Sequence, residues 1–185
     1  MKNRLDNIAG IQTGIFSKTV SKGDIVYLQV KHFDEFGVLG SVLHPDLEYD
    51  SVTQKHLLKP GDVLFAAKGT KNFAAVYESH NPPAVASTSF FVIRLKVDNV
   101  LPDYLAWKLN HPVTQNYLKR NAIGSAIVSI SKAVLDELEI SIPDLTTQRT
   151  ILKIAELRKK EKQLKQQIET LKENQIQYQI LNALK

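Results

Sequence analysis

The chain has 185 residues, 43% hydrophobic and 23% charged, enough for one sizeable domain and a further element. It contains no cysteine, which excludes a disulfide framework, a thiolate metal site and a cysteine nucleophile. Its net charge of +5 is unevenly held: residues 146–185 carry nine Lys or Arg and four Asp or Glu, whereas residues 1–145 carry fifteen of each sign. A nucleic-acid contact made by the first 145 residues would therefore have to use local patches. The longest wholly apolar runs, 63–67 and 73–77, fall far short of the ~20 residues that span a bilayer. No signal peptide is read at the start of the chain. A cytoplasmic protein with no membrane partner is expected.

In chain order, residues 3–8 and the glycine-bounded Gly10-Ile11-Gln12-Thr13-Gly14 read as short strands or turns. Residues 25–30 alternate apolar and polar with β-branched side chains, the pattern of a strand, and Lys31, His32 and Phe33 extend it. Residues 38–59 carry no clear period. A turn at Lys59-Pro60-Gly61-Asp62 leads into a buried strand at 63–67, a polar loop at 68–72 and a returning strand at 73–77. Asn81-Pro82-Pro83 turns the chain again, and residues 87–96 form another strand. Pro102 opens a helix to about Lys119, which Pro112 would kink. After a loop at 121–125, residues 127–130 are strand-like and Ser131 caps one or two helical turns.

Neither Gly nor Pro occurs after Pro143. Leu157, Leu164, Leu171 and Tyr178 recur every seven residues, and Ile154 and Ile168 stand three positions before Leu157 and Leu171, as a and d positions do. The spacing predicts one helix over 146–185 with Thr146 as its N-cap. The a positions Glu161 and Gln175 interrupt the seam, which favours a short pairing in fixed register. Ile176, Ile180, Leu181 and Leu184 widen the apolar face beyond one seam, as docking against a second body would need. The helix either folds back on its own domain or pairs between chains; its length favours pairing, with Ile154, Leu157, Leu164, Ile168, Leu171 and Tyr178 as the interface.

No catalytic constellation is found. Asn81-Pro82-Pro83-Ala84 lacks the aromatic fourth residue of an amino-methyltransferase loop, and no Gly-rich strand-to-helix turn precedes it, so it reads as a turn. The five histidines are scattered singly, without metal-ligand spacing, and no metal or cofactor is expected. Small basic groups in loops are more suggestive. Lys68, Thr70, Lys71 and Asn72 offer two ammonium groups, a hydroxyl and an amide on one hairpin tip, fitted to phosphates and a base edge. Lys18 with Lys22, Lys31 beside His32, and Arg120-Asn121 ahead of Ser125 complete the candidate DNA-binding set.

Taken together, Gly10-Ile11-Gln12-Thr13-Gly14, Tyr27-Leu28-Gln29-Val30, Gly61-Asp62-Val63-Leu64 and Phe91-Val92-Ile93-Arg94 resemble the target recognition domain of type I restriction-modification specificity (S) subunits. Pro102-Asp103-Tyr104-Leu105, Gly124-Ser125, Leu138-Glu139-Ile140-Ser141-Ile142-Pro143 and Leu145-Thr146-Thr147-Gln148-Arg149 are similar to that family's passage into its conserved helix. The resemblance implies an α+β fold: a mixed or antiparallel-sheet recognition domain at 1–145, then a coiled-coil spacer and dimerisation helix at 146–185. A full S subunit has two such domains and two helices packed antiparallel, so this chain resembles a half-length form. The implied function is non-catalytic recognition of a bipartite target in double-stranded DNA, as an antiparallel homodimer that directs a methyltransferase (M) subunit and, where present, a restriction (R) subunit. The competing readings are a self-contained DNA methyltransferase or nuclease fragment and a coiled-coil adaptor with no DNA role.

Overall fold

The computed structural model describes residues 2–34, 37–40, 42–69, 72–123 and 129–183. In chain order these form β1 (Lys2–Arg4), α1 (Leu5–Ile8), β2 (Ala9–Thr13), β3 (Val26–Leu28), a 3-10 turn (Val30–His32), α2 (Ser51–Lys55), β4 (Val63–Ala66) and β5 (Ala74–Val76). There follow β6 (Ala84–Ala86), β7 (Phe90–Leu95), α3 (Pro102–Asn110), α4 (Pro112–Arg120), α5 (Lys132–Asp136), β8 (Glu139–Ser141) and α6 (Leu145–Ala183). Contacts divide the chain into two units, Met1–Gln148 and Arg149–Lys185. The α+β class, with an antiparallel sheet and a long C-terminal helix, is as expected.

The first unit is built on a four-stranded antiparallel sheet in the order β2-β7-β4-β5. β4 lies inside it and every one of its residues is buried, so it reads as a continuous apolar run rather than an alternating one. β3 and β6 make a short parallel pair, and β1 pairs with β8, tying the start of the unit to the strand before α6. Val26, Leu28, Leu64, Phe90 and Val92 fill one side of the core with Phe73, whose ring lies 5.3 Å from Phe33 and 6.1 Å from Phe90. Burying a ring such as Phe90 contributes about 1.5–3 kcal/mol. β5 is an edge strand, and Asn110 at the end of α3 covers it: its amide accepts from Ala74 N at 2.8 Å and donates to Ala74 O at 2.7 Å, as a neighbouring strand would.

Several expectations are corrected. Lys31 and His32 do not prolong a strand; they lie in the 3-10 turn, where His32 Nδ1 accepts from Gln29 N at 3.2 Å and the chain bends to bring Phe33 onto Phe73 and Phe90. Residues 87–96 are not one strand, because the chain turns at Ser87, whose carbonyl accepts from Phe90 N at 2.9 Å, and passes from the β3 pairing into the main sheet. The helix expected from Pro102 to Lys119 is two. Pro112 holds His111 in extended conformation (φ −65°, ψ 137°), and His111 Nδ1 caps α4 by accepting from Val113 N at 3.3 Å. The stretch between 38 and 59, which has no clear period, holds α2, capped by the Asp50 carboxylate.

The long helix begins at Leu145, and its cap is Asp144 rather than Thr146. The Asp144 carboxylate accepts from Thr147 N at 2.9 Å and from Thr147 Oγ1 at 2.8 Å, which holds its pKa below the usual carboxylate range. Gln148 is the one buried residue of α6 among those described. Its amide donates to Asn99 O (2.7 Å) and Pro143 O (2.8 Å) and accepts from Leu101 N (2.9 Å). The 39 residues of α6 give a rod of about 58 Å at about 1.5 Å per residue. Along it Lys153–Glu156, Glu161–Lys165 and Glu169–Lys172 form ion pairs at helical spacing.

Candidate nucleic-acid interface

The antiparallel registers bring Thr13, Phe90, Ala66 and Ala74 to one end of the main sheet, and Ala9, Leu95, Val63 and Val76 to the other. At the first end four separate segments are stitched together by the backbone. Gly14 N donates to Phe90 O at 3.0 Å and Ile15 N to Ala86 O at 2.9 Å. Only glycine fits at 14, because a Cβ there would stand 2.2 Å from Ser87 O. Ala67 N donates to Ser89 O at 2.9 Å, and Ile130 N donates to Ala67 O at 2.9 Å. Lys68 bridges Ser129, which in turn bridges Ile123. Gly69, at φ +111°, then turns the chain in a conformation that L side chains rarely adopt.

The charge of this end follows from which segments meet there. Residues 13–22, 66–69, 72–73, 86–90, 119–123 and 129–131 include Lys18, Lys22, Lys68, Lys119 and Arg120, and neither Asp nor Glu. On a body with equal numbers of basic and acidic residues these segments are rich in cations, and they lie on loops carried by a rigid sheet. Carboxylates stand beside them, since Asp46 O accepts from Val20 N at 2.8 Å, Asp46 Oδ1 accepts from Tyr27 N at 2.8 Å, and Asp34 follows the 3-10 turn. Lys18, Lys22, Lys31, Lys68, Arg120 and Asn121 are exposed. Lys31 belongs to the 3-10 turn beside this end, which the Phe33 ring joins to Phe73. Burial and then the Lys31 charge push the His32 pKa down, in keeping with a neutral ring whose Nδ1 accepts a hydrogen bond. The amides of Asn72 and Asn121 are each engaged by nearby backbone. Asn72 Nδ2 donates to Ala66 O at 2.9 Å, and Asn121 Nδ2 donates to Tyr117 O at 2.8 Å. Thr70, Lys71 and Ser125 lie outside the described residues.

The β6–β7 turn, Ser87-Thr88-Ser89, also belongs to this end. It has no glycine, proline or charge to flag it in the sequence, and its β-branched and aromatic neighbours look like strand. Ser87 Oγ is buried and, among the described residues, has no hydrogen-bond partner.

The opposite end is structural. Arg94 holds Asp62 bidentately, Nε to Oδ1 at 2.7 Å and Nη2 to Oδ2 at 2.6 Å, while Asp62 Oδ2 also accepts from Lys59 N at 2.8 Å. Beyond Leu95, Asn99 and Leu101 receive Gln148. Asn81 closes its turn by accepting from Glu78 N at 2.7 Å. Among the described residues no three His, Asp or Glu side chains are grouped as a metal site, and no helix is long and apolar enough to cross a membrane. On α6, Ile154, Leu157, Leu164, Ile168, Leu171 and Tyr178 are 50–67% exposed.

The fold has solved counterparts. The S subunit of the type I restriction-modification system of M. genitalium is 15% identical with a TM-score of 0.61, over 85% of this chain and 38% of that one. The HsdS subunit of Thermoanaerobacter tengcongensis is 17% identical with a TM-score of 0.62, over 87% and 37%. A chain from a structure on complex assembly and conformational transition of the type I R-M system is 16% identical with a TM-score of 0.64, over 87% and 38%. The chain thus spans less than two fifths of the length of these structures. No curated protein matches it. The pattern of the type I restriction modification DNA specificity domain runs through residues 7–170, from α1 well into α6, and the chain belongs to that family.

Proposed function

We propose that the chain is a sequence-specific DNA-recognition subunit of a type I restriction-modification system, with a target recognition domain at 1–145 and a spacer and dimerisation helix at 146–185. It performs no chemistry of its own. It directs an M subunit, and an R subunit where the system has one, to a bipartite target in cytoplasmic DNA. The observation that carries the reading is the loop end of the sheet, where the described segments that meet carry five basic residues, Lys18, Lys22, Lys68, Lys119 and Arg120, on a body of zero net charge. Family membership gives that patch a ligand. Lysines on the loop tips neutralise phosphates and set the domain's register, and the polar side chains between them reach base edges.

The second half of the proposal is pairing through α6. Ile154, Leu157, Leu164, Ile168 and Leu171 are half or more exposed. Covering them in an antiparallel pair contributes about 1 kcal/mol per side chain, or about 10 kcal/mol over both helices. This is comparable to the roughly 4–15 kcal/mol that association costs, so the dimer depends on the seam closing along its length. Two-fold symmetry then presents the same half-site twice in opposite orientation, with a spacing set by the helices.

The test is retention of duplex DNA by the purified chain across a salt series, with and without the cognate M subunit, together with methyl transfer from S-adenosylmethionine. Four to five phosphate contacts give a slope of log K against log salt of about −4, and Lys68→Ala lowers it by about one. Methyl transfer by this chain alone would overturn the proposal in favour of an enzyme. Absence of DNA retention in every combination would leave an adaptor.

A further inference from the structure

We propose that Phe16 is a stacking residue that places its ring against a base step of the bound duplex; the inference rests on the DNA-recognition reading above. At 80% exposure Phe16 is the most exposed large apolar side chain among the described residues. Single exposed apolar residues are common, so exposure alone means little. What distinguishes Phe16 is how firmly its backbone is held and what surrounds it.

The residues on either side of Phe16 are fixed by one buried group. The Tyr27 hydroxyl donates to Ile15 O at 2.9 Å and accepts from Ser17 N at 3.4 Å. Tyr27 is itself 4% exposed, and its N–H is held by Asp46 Oδ1 at 2.8 Å. One residue earlier, Gly14 is pressed against Ser87 too closely for any side chain, and Ile15 pairs with Ala86. The loop therefore does not fold the ring into its own core. A phenyl group is presented to solvent from a braced backbone at the end of the sheet where the basic segments meet, with Lys18 two residues on. The carboxylate next to the loop, that of Asp46, whose carbonyl accepts from Val20 N at 2.8 Å, is engaged by the Tyr27 N–H.

That combination selects the occupant. A protein partner needs a contiguous apolar patch, and the cores of such patches are poor in lysine. Here the only other exposed large apolar side chain in the loop is Val20, at 38%, between Lys18 and Lys22, and Ile123, at 69%, stands on a separate segment just after Arg120 and Asn121. An aromatic ring set among cations on a rigid loop is instead the composition of a stacking contact with nucleic acid. The ammonium groups engage phosphates, and the ring meets the apolar face of a base that the same backbone carries. Such a contact reads the deformability of a base step rather than its hydrogen-bonding edge. Phe16 thus adds a specificity-determining contact of a kind that lysines cannot supply.

The experiment selects duplexes from a randomised library with the full wild-type chain and its M subunit, then compares variants on an enriched duplex. If the wild type enriches nothing, the DNA-recognition reading fails. If it does enrich a sequence, Phe16→Ala should lower affinity for that duplex by about tenfold or more with the salt slope unchanged, and Phe16→Trp should retain it. With 2-aminopurine walked through the site, emission should rise at one step with the wild type and Phe16→Trp and stay flat with Phe16→Ala. Equal affinity and equal emission for Phe16→Ala would overturn the proposal. So would a Phe16→Ala chain that binds DNA normally but no longer assembles with the M subunit, because the ring would then be a protein contact.

Discussion

Gln148 offers a test of how the first unit is closed. Its side chain is fully buried and makes three hydrogen bonds of 2.7–2.9 Å to the backbone of Asn99, Leu101 and Pro143. Gln148→Ala removes all three. Asn99 is exposed, so its carbonyl can take a water, a loss of about 1 kcal/mol. Leu101 N–H and Pro143 C=O are half-buried, and leaving them unpaired costs about 1–2 kcal/mol more for the two. A total of about 2–3 kcal/mol lowers the melting temperature of a unit of this size by about 4–12 °C. The assay is the emission of the single tryptophan, Trp107, which lies in α3 with its ring 5.6 Å from that of Tyr104 and so reports this unit rather than α6. Gln148→Glu sharpens the test. The carboxylate still accepts from Leu101 N–H but has no proton for the two carbonyls, so burial raises its folded pKa above the unfolded value of about 4.3. Its stability is highest below that value and is lost as pH rises towards the folded pKa. A Gln148→Ala midpoint equal to wild type, or a Gln148→Glu variant that gains stability as pH rises from 4 to 8, would refute the reasoning.

Three further outcomes follow from the structure. At neutral pH Arg94→Ala should destabilise more than Asp62→Ala, by urea titration, because it strands a carboxylate that is 1% exposed, whereas the guanidinium, 38% exposed, can turn to water; about 3–5 kcal/mol is expected for the first and less for the second. The Asp144 carboxylate, held below its usual pKa chiefly by the Thr147 N–H, stabilises the first turn of α6 above pH ~4 and loses that effect as pH falls through its folded value. The Thr147 amide resonance should therefore shift on acidification in the wild type and not in Asp144→Asn. Leu164→Asp should place a charge in the middle of the proposed seam and yield monomers in sedimentation that bind a single half-site weakly; a monomeric wild type would refute the pairing.

The elements that the sequence makes legible are those whose signal is local. The hairpin of β4 and β5 follows from two apolar runs around a polar loop, and α6 from a seven-residue period with no breaker. Elements fixed by tertiary contact are not readable in this way. β6 is three residues whose strand partner, among the described residues, is β3, parallel to it and nearly sixty residues away. The 3-10 turn exists because Phe33 has to reach two rings from other parts of the chain. The pair α3 and α4 reads as one helix for a different reason: the period continues through His111, but Pro112 forbids the residue before it from being helical, and a steric rule outweighs the pattern. The cap of α6 lies two residues before the one the sequence suggests because Asp144 and Thr146 are both good caps, and only the bond to Thr147 N distinguishes them.

The candidate site is legible in the sequence as chemistry and not as a place. Lys18, Lys68 and Arg120 stand about fifty residues apart, and each by itself is an ordinary solvated side chain. Antiparallel register and two isolated bridges gather their segments: β2 and β4 end, and β5 and β7 begin, on the same side of the sheet, and Ile123, three residues after Arg120, joins them through Ser129, which also bridges Lys68. The same register sends Asp62, Arg94 and the Gln148 clamp to the other side. Motif resemblance does not distinguish the two. Gly61-Asp62 looks as informative as the hairpin tip, yet Asp62 is consumed by three internal hydrogen bonds, two of them its ion pair with Arg94. Zero net charge over 145 residues therefore does not argue against a nucleic-acid ligand. It averages lysine-rich segments that strand pairing gathers at one end of the sheet with carboxylates spread over the rest of the unit, Asp46 beside the 13–22 loop among them. A variant that adds Asp or Glu at an exposed loop position such as Thr19 would accordingly weaken DNA binding far more than the same change at Ser79, although the two leave the chain with the same total charge.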